Sequence, residues 1–526
     1  MATPHFDMAH PTPTSPTPSA APASPGERAS ADDAPPPPQP SPAVPHDRRT
    51  RLALLTAMTA AFVAMWLWQV RQTEGFLEAD AATHYLIARF AFDEPYRFVD
   101  IWGRPVKTLL YSLPAVLAGR VGVQFMSLLL ALACAAVAYQ IARHMGLRHP
   151  ELAWGFTLAQ PLVFLHSFAE LTELPFALLL GLTTLAYLER RWRTLAVLAG
   201  LLPLARPEGF AFLLLAGVLL AAHRRLRLLP VLLWGLAAWS VAGWHLFGRD
   251  GSPLTWLYRH WPYAGESVYT EGGGVLAAAG RLLRFPLSMP AVTGPGVFPG
   301  LLVGGAIAAA SAWRGSRAAA AVLAVAGAVL IGHSLLYAAG AMASNGELRY
   351  LLVVAPFWAV LTAAGWDYAF RRLGRSPGEM LRFAAYAAAL PLLVNFRVYG
   401  VLPLRFDDDW RTARLLAHWA DRYGKAHGYP HLMAAHPGVW YFLDRSNTAP
   451  GTYDFTTARL HNPPAGTVLL YDPVYARFNA SRDRRVESLD ELLAAGWTPL
   501  PLARDGRFGG WQVLLSIPLA NNTPQP

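Results

Sequence analysis

Long apolar runs separated by short polar joints make up the chain from about residue 52 to residue 402. A helix needs about 20 such residues to cross a bilayer. The runs 52–70, 122–142, 150–168, 172–190, 228–247, 297–313, 318–339, 350–366 and 382–402 each predict one crossing. The run 194–222 is longer and is broken by Leu204-Ala205-Arg206-Pro207-Glu208-Gly209. As one helix it would be roughly 44 Å long. It would also hold a proline and an ion pair in mid-membrane, at about 2.5–3.5 kcal/mol for each central charge. A hairpin of two short helices avoids this, because its tip, Arg206-Pro207-Glu208, then lines a polar cavity. With the two hairpin arms the chain makes about eleven crossings.

Two further apolar runs are too short to span and predict helices lying in the outer interface. One is 106–117, which contains Pro114 and ends at Gly119-Arg120; the other is 275–287. Past residue 402 the pattern changes. Residues 410–423 read as an amphipathic helix, 466–471 and 511–517 as strands, and 488–495 as a helix with Ser488 near its cap. Residues 1–47 are Pro, Ala and Ser with few large apolar side chains, and Pro35-Pro36-Pro37-Pro38 lies among them. Such a segment buries too little surface to order itself, and without an apolar core it is not a signal peptide. The expected fold class is therefore an all-α polytopic membrane protein with juxtamembrane helices in its outer loops, plus a small C-terminal soluble α/β domain. The expected boundaries are a disordered cytoplasmic tail over 1–47, a transmembrane domain over 48–402 and an extracytoplasmic domain over 403–526. The chain shows no solenoid-type repeat.

Composition supports this pattern: 54% of the 526 residues are hydrophobic and 15% charged, against about 25% charged in soluble chains. The net charge of +10 does not point to nucleic acid, because the arginines sit in short clusters at the joints rather than on one face. Arg48, Arg49 and Arg51 precede the first span, and further clusters follow at 143–148, 190–193, 224–227, 314–317 and 371–382. With the spans above, all fall on one side, which the positive-inside rule makes cytoplasmic. The C-terminal domain then lies outside, and a bacterial inner membrane is the expected location. The 18 tryptophans suit interfacial belts, with the 254–263 stretch among them. The single cysteine, Cys134, excludes an internal disulfide and a multi-cysteine metal site.

Charged residues on the outer side form four groups: Glu78 with Asp80, Glu170 with Glu173, Arg206 with Glu208, and Glu347 with Arg349. Sugar transfer from a lipid phosphate needs a carboxylate to take the proton of the attacking hydroxyl. It also needs cations to steady the departing phosphate. Inversion sets base and leaving group on opposite faces of the sugar. Asp80 against Arg349, assisted by Lys107, Arg104 or Arg259, has the residue types for this. Simpler readings stand beside it. Asp80 is otherwise a solvated loop carboxylate, and Glu78 a second cavity acid, a metal ligand or a surface charge. His84, four residues past Asp80 on one helix face, fits a hydrogen-bonded interface histidine. Arg206 and Glu208 pair to shape the hairpin tip. Glu173 serves either a helix dipole or a sugar, and Arg349 is otherwise an interface anchor. Two carboxylates without a clear histidine partner make a poor metal site, so no metal is expected and a divalent cation is not favoured.

Four short motifs in order give a resemblance to a known family: Glu78-Ala79-Asp80, Thr172-Glu173-Leu174-Pro175-Phe176, Ala205-Arg206-Pro207-Glu208-Gly209 and Leu348-Arg349-Tyr350. Over about residues 50–400 the chain resembles the GT-C superfamily of integral-membrane glycosyltransferases. That group includes protein O-mannosyltransferases, lipid-linked mannosyltransferases and the lipid A aminoarabinose transferase. The resemblance implies an inverting enzyme using a polyprenyl-phosphate sugar, with Asp80 as base and Arg349 near the donor phosphate. Glu78, His84, Arg104, Lys107, Glu173, Arg206, Glu208, Arg259, Arg349 and Tyr350 form the candidate substrate-binding set. The Lys-Pro-Pro pattern of the lipid A transferases is replaced here by Gly103-Arg104-Pro105-Val106-Lys107. Mannose or a similar hexose is the expected sugar, and a glycan, lipid or protein hydroxyl the acceptor. A transporter or lipid flippase, which also carries broken helices and intramembrane charge, and a non-catalytic envelope assembly protein are the competing functions. The transporter reading lacks a visible internal repeat.

Overall fold

The computed structural model of the protein describes residues 48–72, 79–249, 251–261, 275–342, 344–373, 379, 405–453, 455, 457–472, 474–476, 488–501 and 510–518. The expected tail over 1–47, Glu78 and the expected last span over 382–402 lie outside the described residues. Within them, six helices are long and apolar enough to cross a membrane, and four more are apolar but shorter. The protein is a mostly helical membrane bundle carrying a small C-terminal sheet.

The first span is α1 (Arg48–Gln72), and the short helix α2 (Ala79–Arg89) follows it. Helix α3 (Pro105–His144) is two helices joined at a kink, with non-helical backbone at Ala118 and Gly119. Gly119 sits at φ +55, a left-handed conformation that glycine adopts without the cost of a Cβ. The first arm covers the run 106–117 and the second the run 122–142. The run 150–168 is not one crossing, as expected, but two short helices, α4 (Glu151–Leu158) and α5 (Pro161–His166). Pro161 has no N–H to continue the first of them, and Gln160 between them is extended and donates its side-chain amide to the Ala355 carbonyl at 2.8 Å.

Helix α6 (Glu173–Leu188) leads to α7 (Trp192–Ala205) and α8 (Gly209–Ala222). The last two form the predicted hairpin. The far ends of its arms meet, with the Trp192 and His223 rings 4.6 Å apart. At the tip, a Cβ on Gly209 would lie 2.1 Å from the Leu202 carbonyl carbon, so only glycine lets the arms approach. Next come α9 (Trp234–Leu246), entered through 3-10 turns, then α10 (Trp256–Arg259), α11 (Val275–Leu287) and α12 (Met289–Thr293). Helix α11 has the bounds of the run 275–287, but together with α12 it makes one of the six stretches long and apolar enough to cross a membrane, which the sequence reading had placed in the interface. Helices α13 (Phe298–Trp313) and α14 (Arg317–Ala339) precede a 3-10 segment, Leu348–Val354, which runs into α15 (Ala355–Arg372). Helices α13 and α15 touch backbone to backbone, since a Cβ on Gly304 would fall 1.7 Å from the Leu361 oxygen. Small residues permit such contact, and it is a usual way for membrane helices to associate.

The C-terminal segment begins with α16 (Asp408–His427), capped by the Asp407 carboxylate, which accepts from Trp410 N–H at 2.9 Å. The strands are β1 (His431–Ala434), β2 (Thr452–Tyr453), β3 (Thr467–Tyr471), β4 (Thr498–Leu500) and β5 (Gln512–Leu515), in the order β2-β1-β3-β5-β4. Strand β1 runs parallel to β2 and β3, while β5 is antiparallel to β3 and β4. Every residue of β3 is buried, as a central strand covered on both faces requires. The helix starting after Ser488 carries the full capping box with Glu491. Helix α17 (Pro437–Leu443) packs on α2. One apolar cluster runs without a break from Tyr85 and Tyr111 through Tyr441 and Trp440 into Leu470 and Val513 of the sheet.

Candidate active site

Five elements converge on one charged network: the first turn of α2, the start of α6, the α7–α8 tip, the middle of α14 and the segment leading into α15. Glu173, the first residue of α6, is 1% exposed. Its carboxylate takes the Arg206 guanidinium at 2.7 Å. Arg206 also pairs with Glu208 at 2.9 Å and donates to the Thr172 hydroxyl at 2.6 Å. Glu208 in turn meets His333 of α14 at 3.2 Å. A second guanidinium, Arg349, lies 4.0 Å from Glu173 and is ion-paired with both Asp80 and Glu347. The Tyr350 ring joins the two halves. It stacks on His333 with centroids 5.1 Å apart, and the Arg206 and Arg349 guanidiniums lie 5.8 and 6.0 Å from its centre. Its hydroxyl donates to Asn345 at 2.6 Å.

Solvent access rises along this network. Side-chain exposure is 2% at Glu173, 11% at Arg349 and 31% at Asp80. Asp80 and Glu347, at 31% and 37%, are the solvent-reachable acids of the network, while Glu173 and Arg206 form its buried floor. A carboxylate and a guanidinium buried together are tolerable only when paired and hydrogen-bonded, which the Thr172 and Glu208 contacts achieve for Arg206.

A second, cationic group lies along the other side of α2. Lys107 is fully buried and its ammonium donates to the His84 carbonyl at 2.5 Å. Arg104 is 1% exposed, with its guanidinium 5.7 Å from the Trp239 ring and 5.2 Å from that of Trp261. His84 is buried between the two groups. Burial first, then the charges of Lys107, Arg349, Arg206 and Arg104, hold its imidazole well below the usual value, so it is neutral. Glu170 is buried within reach of Lys107 and Arg120. Burial pushes its carboxyl well up despite those two cations.

Of the residues expected from sequence, Asp80, Glu173, Arg206, Glu208, Arg349 and Tyr350 come together, and His84, Lys107 and Arg104 stand beside them. Two expectations change. Asp80 and Arg349 were set across the sugar from each other, but the two side chains are in contact. Arg259 is exposed at the end of α10 with its guanidinium against Gly251. Among the described residues it has no hydrogen bond or ion pair to either group. The sequence reading missed His333 and Asn345. His333 had a usable signal, being one ionisable group in the middle of an apolar span. Asn345 had none, since its part depends on the turn before Leu348.

The C-terminal segment reaches the same region. The Tyr85 hydroxyl donates to the Asp444 carboxylate at 2.7 Å, and Arg89 pairs with it at 3.1 Å. Arg97 donates to Ser446 at 3.0 Å, and Glu94 accepts from Ser446 and Thr448 at 2.6 and 2.7 Å. Asp80 and Tyr85 share α2, so the helix presenting the exposed acid is clamped from above. In the same segment Asp409, His436 and Asp472 each bring one ligand atom within 4.8 Å of the others. His436 Nδ1 already accepts from Gly438 N–H at 3.0 Å, which leaves Nε2 to donate to Asp409 at 3.2 Å.

The helical bundle and its small C-terminal sheet together have a fold similar to the GT-C type of membrane protein. Two crystal structures of ArnT from Cupriavidus metallidurans share this fold, one in the apo state and one bound to undecaprenyl phosphate. Their TM-scores are 0.59 and 0.58, at 14% sequence identity in each case. Each match covers 88% of this chain and 98% of the other. No protein-family model and no curated protein sequence matches the chain.

Proposed function

We propose that the protein is an inverting glycosyltransferase. It moves a sugar from a polyprenyl-phosphate carrier to an acceptor hydroxyl on the outer face of a bacterial inner membrane. One observation carries the reading: Asp80, on the first turn of α2, is solvent-reachable and is held by Arg349 at the edge of a buried ion-pair network. In this reading the Asp80 carboxylate takes the proton of the acceptor hydroxyl as its oxygen attacks C1 of the sugar. The C1–O bond to the lipid phosphate breaks, and the phosphate leaves with the electron pair. Because Arg349 is committed to Asp80, the buried Lys107 and Arg104 are the cations proposed to meet the departing charge. Arg349 fixes the direction of the base. Tyr350, Glu208 and His84 line the sugar between the two groups.

A hexose such as mannose is the proposed sugar, and no divalent metal takes part. The test is transfer in proteoliposomes from a panel of polyprenyl-phosphate hexoses and pentoses to detergent-extracted envelope glycolipid. Asp80→Asn lowers the rate by roughly 10²–10⁴-fold, the range for loss of a positioned base, while the protein still inserts and melts normally. Chelation leaves the rate unchanged. Transfer by the Asn variant at the parent rate would remove Asp80 from the role of base.

A further inference from the structure

The end of the α7–α8 hairpin remote from Arg206 and Glu208 carries two adjoining cavities that the proposed reaction does not use. One is an apolar slot of about 220 Å³ between α6, α7, α8 and α14, walled by Tyr187, Leu219, Ala320 and Ala321 among others. The other is an open cavity of about 970 Å³ lined by Arg191, Arg193, Arg224, Arg225 and Arg227 around Trp192. The two meet at an aromatic wall, with the Tyr187 and Trp192 rings 6.1 Å apart and His223 4.6 Å from Trp192.

Most of the charge here is uncompensated among the described residues. Arg191 pairs with Glu189 at 2.9 Å. Among the described residues, no carboxylate lies within ion-pair distance of Arg193, Arg224, Arg225 or Arg227. Burial, with the field of Arg317, Arg190 and Arg225, keeps the nearby His223 imidazole below its usual value. Arg317 stands at the junction, one turn before Ala320, with its guanidinium 5.1 Å from the Tyr187 ring. Its Nη2 is buried and has no hydrogen-bond acceptor among the described residues. A buried guanidinium donor without an acceptor is costly, and a phosphate oxygen is the partner that best suits its geometry.

Arginines at a membrane joint need no site to explain them, because sidedness alone places them there. Sidedness does not explain an apolar slot opening beside them, nor a buried donor turned to the junction. We infer that this is a binding site for an anionic phospholipid of the leaflet at which the arginines lie. Its phosphate sits between Arg317 and Arg225 and one acyl chain enters the slot. Basic pockets between membrane helices select such head groups. The inference is independent of the transferase reading.

The test uses the full-length protein, delipidated in neutral detergent and titrated with nanodisc-derived phosphatidylglycerol, cardiolipin or phosphatidylcholine. Retained lipid is counted by native mass spectrometry. The anionic lipids are retained at one copy per chain in preference to phosphatidylcholine. Arg317→Gln weakens retention roughly fivefold, the loss of one basic group near a lipid phosphate, and Arg317→Lys restores most of it. Ala321→Phe fills the slot, leaves every charge in place, and also lowers retention. Equal retention of phosphatidylcholine, or full retention by Ala321→Phe in a protein that melts normally, would overturn the inference. So would stoichiometric displacement of the phospholipid by undecaprenyl phosphate, which would assign the site to a carrier lipid.

Discussion

Asp80 is ion-paired with Arg349, a residue 269 positions further along the chain. Arg349 also holds Glu347 and comes within 4.0 Å of the buried Glu173. The acid proposed as base is therefore aimed by the segment that opens α15, and the two act as one unit.

This coupling predicts non-additive kinetics. Arg349→Ala lowers the transfer rate by an amount approaching that of Asp80→Asn, because the remaining carboxylate loses its direction. The double variant is little worse than either single change, as for residues that act together. Arg349→Lys recovers part of the rate. Steady-state transfer in proteoliposomes distinguishes this from two independent contributions, whose effects would multiply.

The floor of the network predicts a stability effect. Glu173→Gln leaves Arg206 buried with only Glu208 to neutralise it, and breaking a buried pair costs about 3–5 kcal/mol. The variant melts well below the parent in detergent. Glu347→Gln, at the exposed rim, changes stability little, as surface pairs contribute about 0–1 kcal/mol. Parallel melting curves give the comparison.

Clamping of α2 by the C-terminal segment predicts a distinct kinetic signature. Asp444 accepts from Tyr85 and pairs with Arg89 while holding a left-handed backbone at φ +47. Asp444→Asn keeps an acceptor and tolerates that backbone, so its effect is small. Asp444→Ala loses both partners and adds roughly 1–2 kcal/mol of backbone strain. It lowers kcat more than it raises KM for the lipid donor, as expected of a residue that acts by holding the helix that bears Asp80. An equal effect on the two constants would assign Asp444 to binding instead.

The same interface predicts acid sensitivity. Burial raises the Glu94 carboxyl. Hydrogen bonds from Ser446, Tyr96 and Thr448, with the charge of Arg97, outweigh this and hold it at about 2. A depressed carboxyl stabilises its folded contacts above the ordinary carboxylate pKa, and that stabilisation is lost as pH falls toward the depressed value. Contact between the 446–448 turn and the 94–97 segment therefore weakens as pH drops from about 4.5 to about 2. Protection of the backbone amides of the 446–448 turn from hydrogen exchange, corrected for the intrinsic pH dependence, falls over that window in the parent. The fall is absent in Glu94→Gln, which lacks the titrating group.

The periodicity of apolar residues carried much of this architecture, because a bilayer admits few solutions for a long apolar run. The bounds of α11, the kink after Pro114 and the hairpin over 192–222 were all legible. The reasons are local: a glycine able to turn left-handed, and a proline and two charges that are costly in a lipid-facing helix. The break between α4 and α5 had a signal in Pro161 that the sequence reading did not use, but the extended Gln160 depends on the Ala355 carbonyl, 195 positions further along.

By itself the sequence determined the membrane class, the cluster of arginines at one set of joints, and the short polar motifs that had to face something other than lipid. Tertiary structure alone decided which of those motifs touch. Asp80 contacts Arg349 rather than opposing it, His333 closes the network from inside α14, and Asp444 at the end of α17 grips the helix that bears Asp80. Helix periodicity is written in neighbours three or four residues apart. Ion pairs between remote segments depend on how whole helices pack, and that is a property of the assembled bundle.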